Sequence, residues 1–170
     1  GVFTNTPTFT GAGIAAGTVG TVSDNGSQAI LTISIGGNTW AVDSDGPWST
    51  AADWSLNPLI PRIAGDAAVL GVGTAFRTVT LDTNVTITSL AFTNDNSFLV
   101  ANGGRTMTFT NSPSGSGMAI NITGGVTGGT SNLIAAPVSL VSTSAVTVSS
   151  VLGGKLAITN AIGGVGGLLM

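Results

Sequence analysis

The chain has 170 residues, with 4 Lys+Arg against 7 acidic residues, all Asp, for a formal net charge of −3, and no His, Cys, Tyr or Glu. These absences exclude a disulfide framework, a thiolate or imidazole metal site and a Ser-His-Asp relay, and so few basic groups exclude the electrostatic footprint of a nucleic-acid binder. Charged residues are only 6% and hydrophobic ones 42%, which rules out charge-driven disorder and leaves a β-rich surface with little repulsion against self-association.

The length predicts one domain, since domains run to about 100–200 residues. Gly1-Val2-Phe3 opens without an initiator Met and reads as a processed terminus. Gly11-Ala12-Gly13-Ile14-Ala15-Ala16-Gly17 resembles a dinucleotide fingerprint only in its glycines: no buried strand precedes it and no acid follows at the required distance. The first long alternation is Ala29-Ile30-Leu31-Thr32-Ile33-Ser34-Ile35, so residues 1–37 read as a β-rich leader. Strand addition to a neighbour would make it a docking segment. Residues 38–76 hold all three tryptophans and read as a cap or loop region. Thr50-Ala51-Ala52-Asp53 predicts a single helical turn, and Pro58 and Pro61 exclude a long helix.

From residue 77 to 170 period-two alternation dominates. It runs through Thr78–Leu81, Asn84–Thr88, Thr106–Thr110, Ala119–Thr123, Val146–Val148 and Leu156–Thr159. Apolar residues opposite Thr mark strands with one buried face, and β-branched Thr and Val favour a pleated surface over a helix. Turn clusters separate the strands at Asp24-Asn25-Gly26, Gly36-Gly37-Asn38, Asn94-Asp95-Asn96, Asn102-Gly103-Gly104, Ser114–Gly117 and Gly124-Gly125. Asn102-Gly103 fits either a hairpin turn or a solenoid corner. Strand centres recur every roughly 9–13 residues, a spacing shared by sandwiches, barrels and β-helices. The loss of charge toward the C-terminus, where only Lys155 is ionisable after Arg105, favours stacked coils that cover one another. No apolar run approaches the roughly 18 residues of a spanning helix.

Two segments carry a resemblance. Asn38-Thr39-Trp40, Gly46-Pro47-Trp48-Ser49-Thr50-Ala51-Ala52-Asp53-Trp54, Pro61 and Gly65-Asp66-Ala67-Ala68-Val69-Leu70-Gly71 resemble the opening module of bacterial secreted proteins with autotransporter-associated β-strand repeats. Thr78 to Phe92 is similar to that family's first coil, and Asn160-Ala161-Ile162-Gly163-Gly164-Val165-Gly166-Gly167-Leu168 to its glycine-rich repeat signature. The resemblance covers residues 38–170, and Asp53 stands where the family pattern has Asn. It implies an all-β, right-handed parallel β-helix, extracellular or on a bacterial cell surface, with a structural or adhesive role. It also implies coils that continue past residue 170 or are covered by a neighbour. An antiparallel β-sandwich is the alternative fold.

Trp40, Trp48 and Trp54 have two readings: a platform for stacking sugar rings, or a plug closing the first coil. Asp43-Ser44-Asp45-Gly46 resembles the start of a calcium loop, but the twelfth position is Trp54 and Asp53 could replace the usual acid only with a different geometry, so a solvated turn is the favoured reading and no metal is expected. The seven acids, Asp24, Asp43, Asp45, Asp53, Asp66, Asp82 and Asp95, all precede residue 100, and most sit beside Gly, Asn, Ser or Thr in turns. They form no pair suited to polysaccharide cleavage, and Arg62, Arg77, Arg105 and Lys155 form no cluster. Asn25-Gly26-Ser27, Asn84-Val85-Thr86 and Asn121-Ile122-Thr123 have the form of glycosylation acceptors. The expected protein is a non-enzymatic extracellular structural component without a cofactor. It forms a homo-oligomer or polymer, with polysaccharide as the alternative partner and a polysaccharide-cleaving β-helix as the remote alternative.

Overall fold

The computed structural model describes residues 18–24, 29–35, 37–113, 117–124, 131–150 and 153–170. The Gly11–Gly17 run, the acceptor at Asn25 and parts of the turns at 24–26, 36–38, 114–117 and 124–125 lie outside them.

Strands β1 (Thr18–Asp24) and β2 (Ala29–Ile35) pair as an antiparallel hairpin, from Thr18 against Ile35 to Asp24 against Ala29. All other ladders among the described residues are parallel, apart from a single bridge between Trp40 and Trp54. Three sheets form the walls of a parallel β-helix. The first contains β3 (Asn38–Trp40), β5 (Ala67–Leu70), β8 (Ser89–Phe92), β11 (Ala119–Ile122), β14 (Val146–Ser150) and β17 (Leu168–Leu169). The second contains β4 (Gly46–Pro47), β6 (Arg77–Leu81), β9 (Phe98–Asn102), β12 (Asn132–Ile134) and β15 (Leu156–Ile158). The third contains β7 (Val85–Ile87), β10 (Met107–Phe109), β13 (Val138–Leu140) and β16 (Ile162–Gly164). The chain visits the walls in turn, so each strand pairs with its counterpart in the next coil. The antiparallel sandwich is thereby set aside, and Asn102-Gly103 is a corner, because β9 and β10 belong to different walls.

Register turns the alternation into columns. On the first wall Trp40 stands over Leu70, then Phe92, then Ile122, while Ala68, Leu90 and Ile120 form a second column. On the third wall Val85, Met107 and Val138 align, as do Ile87, Phe109 and Leu140. These side chains are essentially fully buried in one cluster. Each Val, Leu, Ile, Met or Phe among them contributes up to about 1.5–3 kcal/mol on burial. Corners carry the sharpest steric demands. A Cβ on Gly124 would strike the Asn94 backbone, and Gly164, at φ 106°, fits its corner under Leu140 only without a side chain.

The coils begin earlier than the sequence suggests. β3, β4 and the 3-10 turn η1 (Ala51–Asp53) fall within the segment read as a cap, and the Arg62 carbonyl accepts the Thr86 amide at 3.1 Å. The chain around Arg62 thus lies against β7 as the third side of the first coil. Burial fades at the other end, where Ile162 is 43% and Leu169 59% exposed.

Candidate functional site

The chemistry-bearing residues gather in the first coil and its junction with the second. Trp40 ends β3, Trp48 follows β4 and Trp54 follows η1. Trp40 and Trp54 meet edge to face at 5.3 Å and 89°, and Trp48 and Trp54 pack at 4.9 Å and 60°. Each indole N–H donates to a backbone carbonyl: Trp40 to Ser44 at 3.2 Å, Trp48 to Pro61 at 2.8 Å and Trp54 to Trp48 at 2.8 Å. All three are 0–1% exposed. A sugar ring therefore has no open face to stack on. The glycan-stacking assignment of Trp40, Trp48 and Trp54 is corrected by this burial: they pack as the apolar plug of the first coil.

The acids accept from backbone and side-chain donors. The Asp43 carboxylate accepts from Arg77 Nε at 2.7 Å, Thr74 Oγ1 at 2.7 Å and Thr74 N at 3.0 Å. Asp45 accepts from Thr78 N at 2.8 Å, and Asp82 from Ser49 N at 3.0 Å and Ser49 Oγ at 2.5 Å. Asp53 lies beside Gly46, where a Cβ would meet its Oδ2 at 2.8 Å and Trp40 at 3.1 Å. Among the described residues no three Asp side chains converge to hold a metal ion. The calcium assignment of Asp43, Asp45 and Asp53 is corrected on this geometry: the first two bind N–H and O–H donors and a guanidinium, groups that take the lone pairs a cation needs.

Arg77, followed by the Thr74 hydroxyl and amide, holds the Asp43 carboxyl down at about 2, and Asp43 in turn raises Arg77. Opposite charge and hydrogen bonds to the ionised form both favour ionisation. Because the folded pKa lies below the unfolded value near 3.9, this strap is at full strength above about pH 4. It is lost as pH falls through about 2. The expected result is that Asp43→Asn lowers the melting temperature at neutral pH and flattens the decline of the curve between about pH 4 and 2. Melting temperature against pH for both proteins checks this, and parallel curves through that window contradict it.

Sequence reasoning passed over the most enclosed polar groups. Asp66 is fully buried at the corner preceding β5, and its Oδ2 accepts from Arg62 N at 2.8 Å and Ile63 N at 3.0 Å. Its carbonyl accepts from Thr88 N at 2.9 Å, and Thr88 Oγ1 accepts from Gly65 N at 2.9 Å. Asn38, also buried, takes the Leu56 amide at 2.9 Å and the Ser55 hydroxyl at 3.1 Å and donates to Leu59 O at 2.8 Å. Higher up, Asn94 donates to Gly71 O and Gly73 O at 2.8 and 3.0 Å, and Asn132 accepts from Phe98 N at 2.9 Å. The available signal was a Gly-Asp pair directly before an alternating run, and Asn recurring at turns.

The site as built is a set of polar staples within and between coils around a tryptophan plug. Compared with protein-family models, curated proteins and solved structures, the chain matches none. No helix among the described residues is long and apolar enough to cross a membrane.

Proposed function

We propose that the chain is an extracellular structural protein: a stretch of β-solenoid that self-assembles or forms part of a longer surface-exposed rod, such as a filament, matrix or passenger. The observation that carries this reading is where the polar side chains are used. In the first coils Asp43, Asp45, Asp66, Asp82, Asn38 and Asn94 are engaged with backbone or side-chain donors and acceptors of their own or the adjoining coil. A catalyst needs convergent titratable groups facing a cleft, whereas a rod needs its hydrogen-bonding capacity spent along its own axis. With a net charge of −3 over 170 residues, electrostatic repulsion opposes side-by-side association only weakly.

Immunogold electron microscopy of producing cells, with an antibody against the folded chain, tests the reading. Label on extended material outside the cell envelope, removed by protease added to intact cells, is the expected result. Label confined to the cell interior overturns it.

A further inference from the structure

The corner between β9 and β10 carries a chemical liability independent of any scaffold role. Asn102 is the last residue of β9, and Asn102, Gly103 and Gly104 are all exposed. The Asn102 side chain folds forward along its own backbone, with Oδ1 accepting the Gly104 amide at 2.8 Å, and Gly104 sits at φ 81°. Such an Asx turn holds the amide carbon over the following peptide unit. That unit belongs to a glycine, so no side chain shields its nitrogen. The missing Cβ is a requirement of the corner as well, because one placed there would run into the Leu81 carbonyl. The other described asparagines differ. Asn38 and Asn132 are buried, and none of Asn57, Asn84, Asn94, Asn96, Asn111, Asn121 and Asn160 precedes a glycine.

We infer that Asn102 is a site of spontaneous modification in the folded chain, through a succinimide formed with Gly103. The Gly103 nitrogen loses its proton to solvent and bonds to Asn102 Cγ, and the side-chain amide leaves as ammonia. Water then opens the five-membered ring at either carbonyl. One opening gives an aspartyl residue at position 102, and the other an isoaspartyl residue whose main chain is longer by one methylene. Both replace a neutral amide with a carboxylate. The second also displaces the chain where Asn102 pairs with Leu81, loosening the corner into β10.

Peptide-resolved mass spectrometry during incubation of the folded protein in mildly alkaline buffer at physiological temperature tests the inference, with the same chain in concentrated urea as reference. The peptide carrying Asn102 is expected to gain about 1 Da, as amide becomes acid, as two chromatographically separate products. It should do so about tenfold faster than any other described asparagine, since none of those precedes a glycine, and at least as fast folded as in urea. Asn102→Gln, which forms the larger ring slowly, and Asn102→Ser, which keeps the turn acceptor, are both expected to remove the signal while leaving the circular dichroism unchanged. Conversion that is slower folded than in urea overturns the inference, as does earlier conversion of another described asparagine.

Discussion

Trp54→Ala is expected to destabilise the protein by about 4 kcal/mol, at the upper end of what large-to-small core substitutions cost. Trp54 touches both of its fellow indoles, and removing it opens a void against each. It also strands the Trp48 carbonyl, which accepts the Trp54 indole N–H at 2.8 Å. The backbone on either side is tied to β3, with Ala41 N donating to Asp53 O at 2.7 Å and Ser55 N to Thr39 O at 2.8 Å. The loss therefore spreads along the first coil. Trp54→Phe separates the terms: it keeps much of the apolar volume and loses the hydrogen bond, for a smaller cost of about 1–2 kcal/mol. Urea unfolding followed by far-ultraviolet circular dichroism reads both. A Trp54→Ala midpoint within error of the parent contradicts a plug that closes the coil.

Asp66→Ala is expected to cost about 3 kcal/mol, because the Arg62 and Ile63 amides both lose their acceptor in a setting where water replaces it poorly. For a chain of this size that corresponds to a fall of about 6–12 °C in melting temperature. Asp66→Asn keeps one carbonyl acceptor at the same place and is expected to fall between the parent and the alanine variant. Hydrogen exchange locates the effect: the Arg62 and Ile63 amides should exchange faster in Asp66→Ala while those of β12 and β13 are little changed, since coils interact chiefly with their neighbours. A uniform increase across all coils contradicts a local staple.

Several of the wall strands were legible as alternation. Thr78–Leu81, Asn84–Thr88, Thr106–Thr110, Ala119–Thr123 and Leu156–Thr159 enclose or nearly match β6, β7, β10, β11 and β15, because a strand with one buried face imposes its two-residue period directly on the sequence. Short strands escaped notice. β4 has two residues, too few for a period to show, and β12 buries Asn132 where alternation would place an apolar residue. The first coil was hidden for another reason: β3 and β4 are separated from β5 by turns and prolines, so their membership of the walls rests on pairing with β5 and β6 far along the chain.

The candidate residues divide along the same line. Composition alone excluded thiolate and imidazole chemistry, since a group that is absent cannot act, and alternation alone required sheets with one apolar face. Whether Asp43 met a cation or Arg77, whether the tryptophans faced a ligand or one another, and whether Asn102-Gly103 closed a hairpin or turned a corner were decided only by the tertiary structure. Residues such as Asp43 and Arg77, 34 apart in the chain, become neighbours only once the coils stack in register. Periodicity is a property of adjacent residues, whereas the partner of a carboxylate or an indole is set by which coil lies above it.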